Sequence, residues 1–170
     1  RPLVFETIDE YIHNINITIQ AIEAIPELYL CIRFRPKINL TLKDLKRSLV
    51  VSDCYDIYTE GLFEEFLLAS DLLISYSSTT IEEALQSNIP VLQFDPDDKY
   101  EHIQGKKLPT DGINSFSTVY SVYAENDLMP ALNWWQENHS KAVNSKLNWS
   151  EHVFKDIDYM DLLEVMDIKC

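Results

Sequence analysis

The chain has 170 residues, 46% of them hydrophobic and 25% charged, which is enough for one domain with a buried core and argues against disorder. Lys and Arg number 14 against 28 Asp and Glu, a net charge of −14, so the surface repels phosphate backbones and anionic lipid, and nucleic acid is disfavoured as a partner. A phosphate-bearing ligand must then be held locally, by a few Arg or Lys and by backbone amides. Cys31, Cys54 and Cys170 are odd in number and widely spaced, without a CxxC or CxxH pattern. That reads as reduced thiols in a cytoplasmic protein, with no metal site. Neither a leader nor a membrane span is expected. The chain opens at Arg1 without Met, so a preceding part is expected.

Ile8, Tyr11, Ile12, Ile15, Ile19, Ile22 and Ile25 recur at helical spacing, with Thr7 and Glu10 as a capping box and Pro26 as the stop. Leu28 to Phe34 reads as a strand buried on both faces. Residues 41–47 read as a short helix from Thr41, and Ser48 to Val51 as a second strand ending at Ser52-Asp53. Leu62 to Ala69 is expected as a helix with Leu62, Phe63, Phe66 and Leu67 inward. Leu72 to Ser75 comes next as a strand, Thr79 to Ser87 as a helix, and Pro90 to Phe94 as a strand.

Residues 95–112 show no periodicity, and a stretch that long is expected to be functional or mobile. Phe116 to Tyr123 reads as a last strand. Leu128, Met129, Leu132 and Trp135 mark a helix, and residues 151–166 another. Trp134 and Trp135 are expected to pack, one of them at a domain interface. The alternation predicts an α/β fold: a Rossmann-like three-layer αβα domain, its sheet mostly parallel, spanning 1–170 with helices from 126–166 packed on or capping it. Ligands in such sheets sit beyond the carboxyl ends of the strands, here after residues 34, 51, 75 and 94.

After Ser75 come Tyr76 and four hydroxyl residues, Ser77, Ser78, Thr79 and Thr80, just where a helix begins. First-turn amides, the helix dipole and clustered hydroxyls together make a seat for phosphate. The competing role is plain N-capping by Ser78 or Thr79, for which one hydroxyl suffices. Glu82 and Glu83 can complement the dipole, or one of them can accept from ribose hydroxyls. A helix sets them about 100° apart, so they cannot both face the site.

Arg33 and Arg35 close the first strand on one face, suited to bidentate phosphate contacts or simply solvated. Asp56-Ile-Tyr58 is expected as a loop near a nucleotide base, with Tyr58 stacking on it or packing structurally. Asp97, Asp98 and His102 fit no tight ligand spacing and read as a solvated acidic turn. Tyr100 and His102 could reach a donor sugar or face a missing domain.

The run Ala69 to Phe94, ASDLLISYSSTTIEEALQSNIPVLQF, resembles the donor-binding motif of GT-B glycosyltransferases, above all the surface-polysaccharide type. The likeness covers residues 28–95. It implies that Glu83, followed by Ala84, is the ribose-binding glutamate, and that Ser77 to Thr80 form the phosphate-binding loop. A second glutamate eight positions earlier is replaced by Ser75, which disfavours the retaining EX7E type. Arg35-Pro36 stands where such enzymes have His-Pro. Arg35 could neutralise a leaving diphosphate but is a poor proton donor.

The implied activity is sugar transfer from a nucleotide-sugar to a glycan, with no cofactor or metal. The general base and the acceptor site would lie in an N-terminal domain absent from this chain. Location would be cytoplasmic, with peripheral attachment to the inner membrane through that missing part left open. Two alternatives stand beside it. One is a sugar-nucleotide 2-epimerase half. The other is a phospho-receiver domain, with Asp53 at a strand end and Lys106 or Lys107 before Leu108-Pro109.

Overall fold

A computed structural model describes residues 7–76, 79–99, 103–108, 116–145 and 147–149. Helix α1, Ile8–Glu23, starts as its sequence dictates. Thr7 Oγ1 accepts from the Glu10 N–H at 3.2 Å, and Glu10 Oε2 accepts from the Thr7 N–H at 2.9 Å, so two first-turn donors are satisfied reciprocally. Helix α2, Leu42–Ser48, begins with the same device at Thr41 and Asp44.

Strand β1, Leu30–Arg33, lies between these helices in sequence and pairs in parallel with β2, Tyr55–Tyr58. The chain continues through α3, Phe63–Leu68; β3, Leu73–Ser75; α4, Thr80–Gln86; and β4, Val91–Phe94. It then forms the two-residue β5, Lys106–Lys107, then β6, Val119–Val122, and α5, Glu125–Asn144. These strands form a second parallel sheet in the order β3-β4-β6-β5.

The fold is therefore α/β with parallel sheets, layered helix–sheet–helix. On one face Ile22 of α1, Ile25 just beyond it, and Leu128, Ala131, Leu132 and Trp135 of α5 pack on Leu92, Phe94, Tyr120 and Val122. On the other, Leu67 of α3 and Ile81, Ala84 and Leu85 of α4 pack on Val91 and Val119. A third cluster seats Ile19 of α1 and Leu45 of α2 against Ile32. β4 and β6 are buried at every position, as central parallel strands must be. Each fully buried aliphatic side chain contributes about 1.5–3 kcal/mol.

The strand expected at Ser48 to Val51 is not there. Ser48 ends α2, Leu49 is its C-cap, and Val51 is 94% exposed. Leu49 and Val50 are apolar because they pack beneath α1 and α2. The backbone bonds that a strand would make go instead to one side chain. Asn16 donates from Nδ2 to Ser48 O at 3.0 Å and accepts from the Val50 N–H at 2.8 Å. The strand falls later, at Tyr55–Tyr58, where Tyr55 and Ile57 face the core and Asp56 and Tyr58 are exposed.

Smaller differences obey the same logic of context. Leu62 precedes α3 and is 67% exposed rather than inward. Met129 of α5 is 45% exposed. Part of the stretch read as patternless contains β5, which only its register with Tyr120 and Ser121 defines. Trp134 and Trp135 pack as expected, both against Tyr120, at 5.5 and 5.7 Å between ring centroids. The helix expected over 151–166 lies outside the described residues.

Candidate functional site at the carboxyl ends of the strands

Helix α1 shows which end of the layered structure is which. Its first turns touch the segments just beyond β4 and β6: Lys99 Nζ meets Glu10 Oε1 at 2.5 Å, and Glu125 Oε1 meets His13 Nε2 at 2.7 Å. Its last turn touches the segment leading into β2, where Ser52 Oγ donates to Glu23 Oε1 at 2.9 Å. The carboxyl ends of the strands and the start of α1 thus share one rim. Arg33, Arg35, Tyr58, Thr79 and Thr80 belong to segments that end on it.

The turn from β3 into α4 behaves unlike the two other threonine-led helix starts. Thr7 and Thr41 each spend their hydroxyl on a first-turn amide. Thr79 makes no side-chain cap bond and has helical backbone angles, φ −61° and ψ −14°. Thr79 is exposed, Thr80 half-buried and Glu83 exposed, while Glu82 is half-buried. Glu83, not Glu82, therefore presents its carboxylate outward. Ser77 and Ser78 lie outside the described residues, as do Tyr100 and His102.

The two arginines differ. Arg35 is exposed beyond β1 and, among the described residues, takes part in no ion pair. Arg33 is engaged: Nη1 donates to Tyr58 O at 3.0 Å and Nη2 to Gly61 O at 2.7 Å. Its guanidinium also lies over the Phe66 ring, 5.3 Å from the centroid.

Tyr58 is the last residue of β2 rather than part of a loop. Its ring meets Phe66 at 5.0 Å and its hydroxyl lies 3.4 Å from Asp56 Oδ2, leaving it 36% exposed. The Asp56 carboxylate raises the Tyr58 pKa. The same carboxylate accepts from the Tyr29 hydroxyl at 2.7 Å and, chiefly through that bond, pushes Tyr29 up to about 12. Tyr58 thus ends β2 at the rim, and the segment just beyond it is 59–62.

Beyond β4, Asp97 is solvated as expected, its side chain 54% exposed and 2.7 Å from Lys99. The Glu10 carboxyl is held down to about 2, first by the Lys99 ammonium and then by the Thr7 bonds. Among the described residues no group of three or more His, Cys, Asp or Glu could hold a metal ion, and no helix is long and apolar enough to cross a membrane.

Two groups at this rim escaped the sequence reading. Asp95 is 1% exposed, its N–H donating to Val122 O at 3.0 Å. Gln93 is buried within β4, where its Nε2 donates to Ile103 O at 2.5 Å and its Oε1 accepts from the Ile103 N–H at 3.1 Å. This side-chain amide binds residue 103 as a strand neighbour would. The signal was available: polar residues within or just after a run as apolar as Pro90 to Phe94 are buried with it.

The strand end at which the receiver reading set Asp53 is not there. Asp53 lies before β2, at the amino end of the strands. There it lines a groove of about 410 Å³ with Glu23, Tyr29, Ser52 and Cys54. Lys107 sits in β5 with its ammonium 4.9 Å from the centroid of Tyr123.

No family model matches the chain, and neither the curated proteins nor the solved structures contain a match to it. The class rests on the fold alone: an α/β domain of parallel sheets.

Proposed function

We propose that this domain binds a nucleotide-sugar by its diphosphate at the turn into α4, as the donor-binding half of a glycosyltransferase acting on a glycan. One observation carries the reading. A helix led by Thr79 and Thr80 opens at the carboxyl edge of a parallel sheet, and the Thr79 side chain makes no cap bond of its own. Amides so placed favour an anion. α4 has only 7 residues, so its dipole acts over its first turn alone. Direct hydrogen bonds and the exposed Arg35 then supply most of the attraction.

Glu83 serves the ribose in this reading. Arg35 stabilises the departing diphosphate, because a fixed cation placed where negative charge develops lowers the barrier to leaving. The attacking hydroxyl and its base come from a second domain outside this chain. The domain by itself then binds nucleotide without turnover, and it needs no metal.

Thermal unfolding with UDP, GDP and CMP, and with acetyl phosphate plus Mg²⁺, tests this reading. A nucleotide at about a hundred times its Kd should stabilise by about 2.7 kcal/mol, a rise of several degrees in Tm. A response to acetyl phosphate alone would instead favour phospho-transfer chemistry.

A further inference from the structure

We propose that Arg33 is a positioning residue: it fixes the 58–61 turn, and with it the Tyr58 ring, at the rim of the site, and does not itself touch the ligand. This rests on the nucleotide reading above for its functional meaning and on geometry alone for its structural part.

The geometry is a closed set of contacts. Arg33 ends β1 and reaches across to the parallel neighbour, where Tyr58 O accepts both its Nη1 at 3.0 Å and the Phe34 N–H at 2.9 Å. Nη2 donates to Gly61 O at 2.7 Å. One guanidinium therefore bridges two carbonyls of the same turn, three residues apart. The planar fork makes that bridge possible; an ammonium does not have its fixed geometry.

Phe66 of α3 supports the arrangement from the helix side. Its ring lies under the guanidinium at 5.3 Å and against Tyr58 at 5.0 Å. Gly61 completes it. Its φ of +94° suits glycine, and a Cβ there would stand 3.0 Å from Phe66 Cε2. Arg33, Gly61, Phe66 and Tyr58 thus determine one another's positions. With two donors committed to backbone carbonyls, Arg33 acts on a ligand through the turn it holds, whereas Arg35 remains to meet charge directly.

The test uses Arg33→Lys and Gly61→Ala, which disturb the same turn from opposite sides, neither altering charge. In the free protein, hydrogen exchange of the Phe34 amide, which donates to Tyr58 O, should quicken in Arg33→Lys by roughly ten- to a hundredfold. UDP, GDP and CMP are then titrated calorimetrically at low and high salt. Positioning predicts that both variants weaken nucleotide binding by a similar factor while the salt response stays that of the parent protein.

Unchanged exchange in Arg33→Lys overturns the proposal. So does a weaker affinity in Arg33→Lys alone, with Gly61→Ala binding normally, because that pattern marks direct contact of the guanidinium with the ligand. Should Arg33→Lys fail to fold, Gly61→Ala carries both measurements: quicker exchange at Phe34 with weaker binding supports the proposal, and normal binding overturns it. If the parent protein binds none of the nucleotides, the nucleotide reading falls and exchange alone decides whether Arg33 holds the turn.

Discussion

Replacing Tyr120 with Ala is expected to cost about 3–5 kcal/mol of folding stability, a large part of what a domain of this size has in reserve. Tyr120 is fully buried at the centre of β6. Its ring is flanked by Trp134 at 5.5 Å and Trp135 at 5.7 Å, and Phe116 packs on Trp134 at 6.1 Å. Truncation leaves a cavity that two rigid indoles cannot collapse into.

The hydroxyl has a separate role. It accepts the Ser117 N–H at 2.9 Å, while burial raises its pKa. Tyr120→Phe keeps the ring and strands that amide, so it should cost only about 1–3 kcal/mol. Urea unfolding of the two variants gives the comparison directly. A loss in Tyr120→Ala no larger than in Tyr120→Phe would show that the aromatic cluster is not the centre of the core.

Replacing Arg35 with Ala is expected to weaken nucleotide binding by roughly ten- to a hundredfold, the loss of a charge-assisted hydrogen bond worth about 1.5–3 kcal/mol. Folding stability should hardly change, since Arg35 is exposed and, among the described residues, in no ion pair. Arg35→Lys should recover part of the affinity, because the charge remains while the bidentate geometry is lost. Rising salt should weaken the parent protein more than Arg35→Ala. Calorimetric titration with UDP, GDP and CMP measures these differences. An Arg35→Ala protein that binds as tightly as its parent would remove Arg35 from the site.

The helices were legible where the sequence carries its own punctuation. Thr7 with Glu10 announces α1 and Thr41 announces α2, and a capping box forms at both. The central strands were legible because burial on both faces leaves nothing but apolar side chains with few exceptions. β2 was hidden. Leu49-Val-Val51 looks more strand-like than Tyr55-Asp-Ile-Tyr58, yet the first is held by Asn16, a partner 34 residues from Val50. Local pattern cannot report a contact of that range. β5, a Lys-Lys pair, exists through its register with β6 and carries no sequence signal at all.

At the candidate site the hydroxyl run and the two arginines were visible, but the difference between the arginines was not. It depends on the register that sets Arg33 opposite Tyr58 and on the positive φ at Gly61 that turns a carbonyl toward it. Both are properties of paired backbones rather than of residue types. The burial of Asp95 and the clamp by Gln93 likewise arise from β4 lying between β3 and β6.

Backbone amide resonances monitored during addition of UDP, GDP and CMP address the anion seat most directly. The account predicts that the largest shifts fall on Thr79, Thr80 and Ile81, with a second set at Arg35 and the 59–62 turn. Saturating nucleotide that leaves those amides unmoved, or that shifts instead the groove of Glu23, Tyr29 and Asp53 at the opposite end, would contradict it.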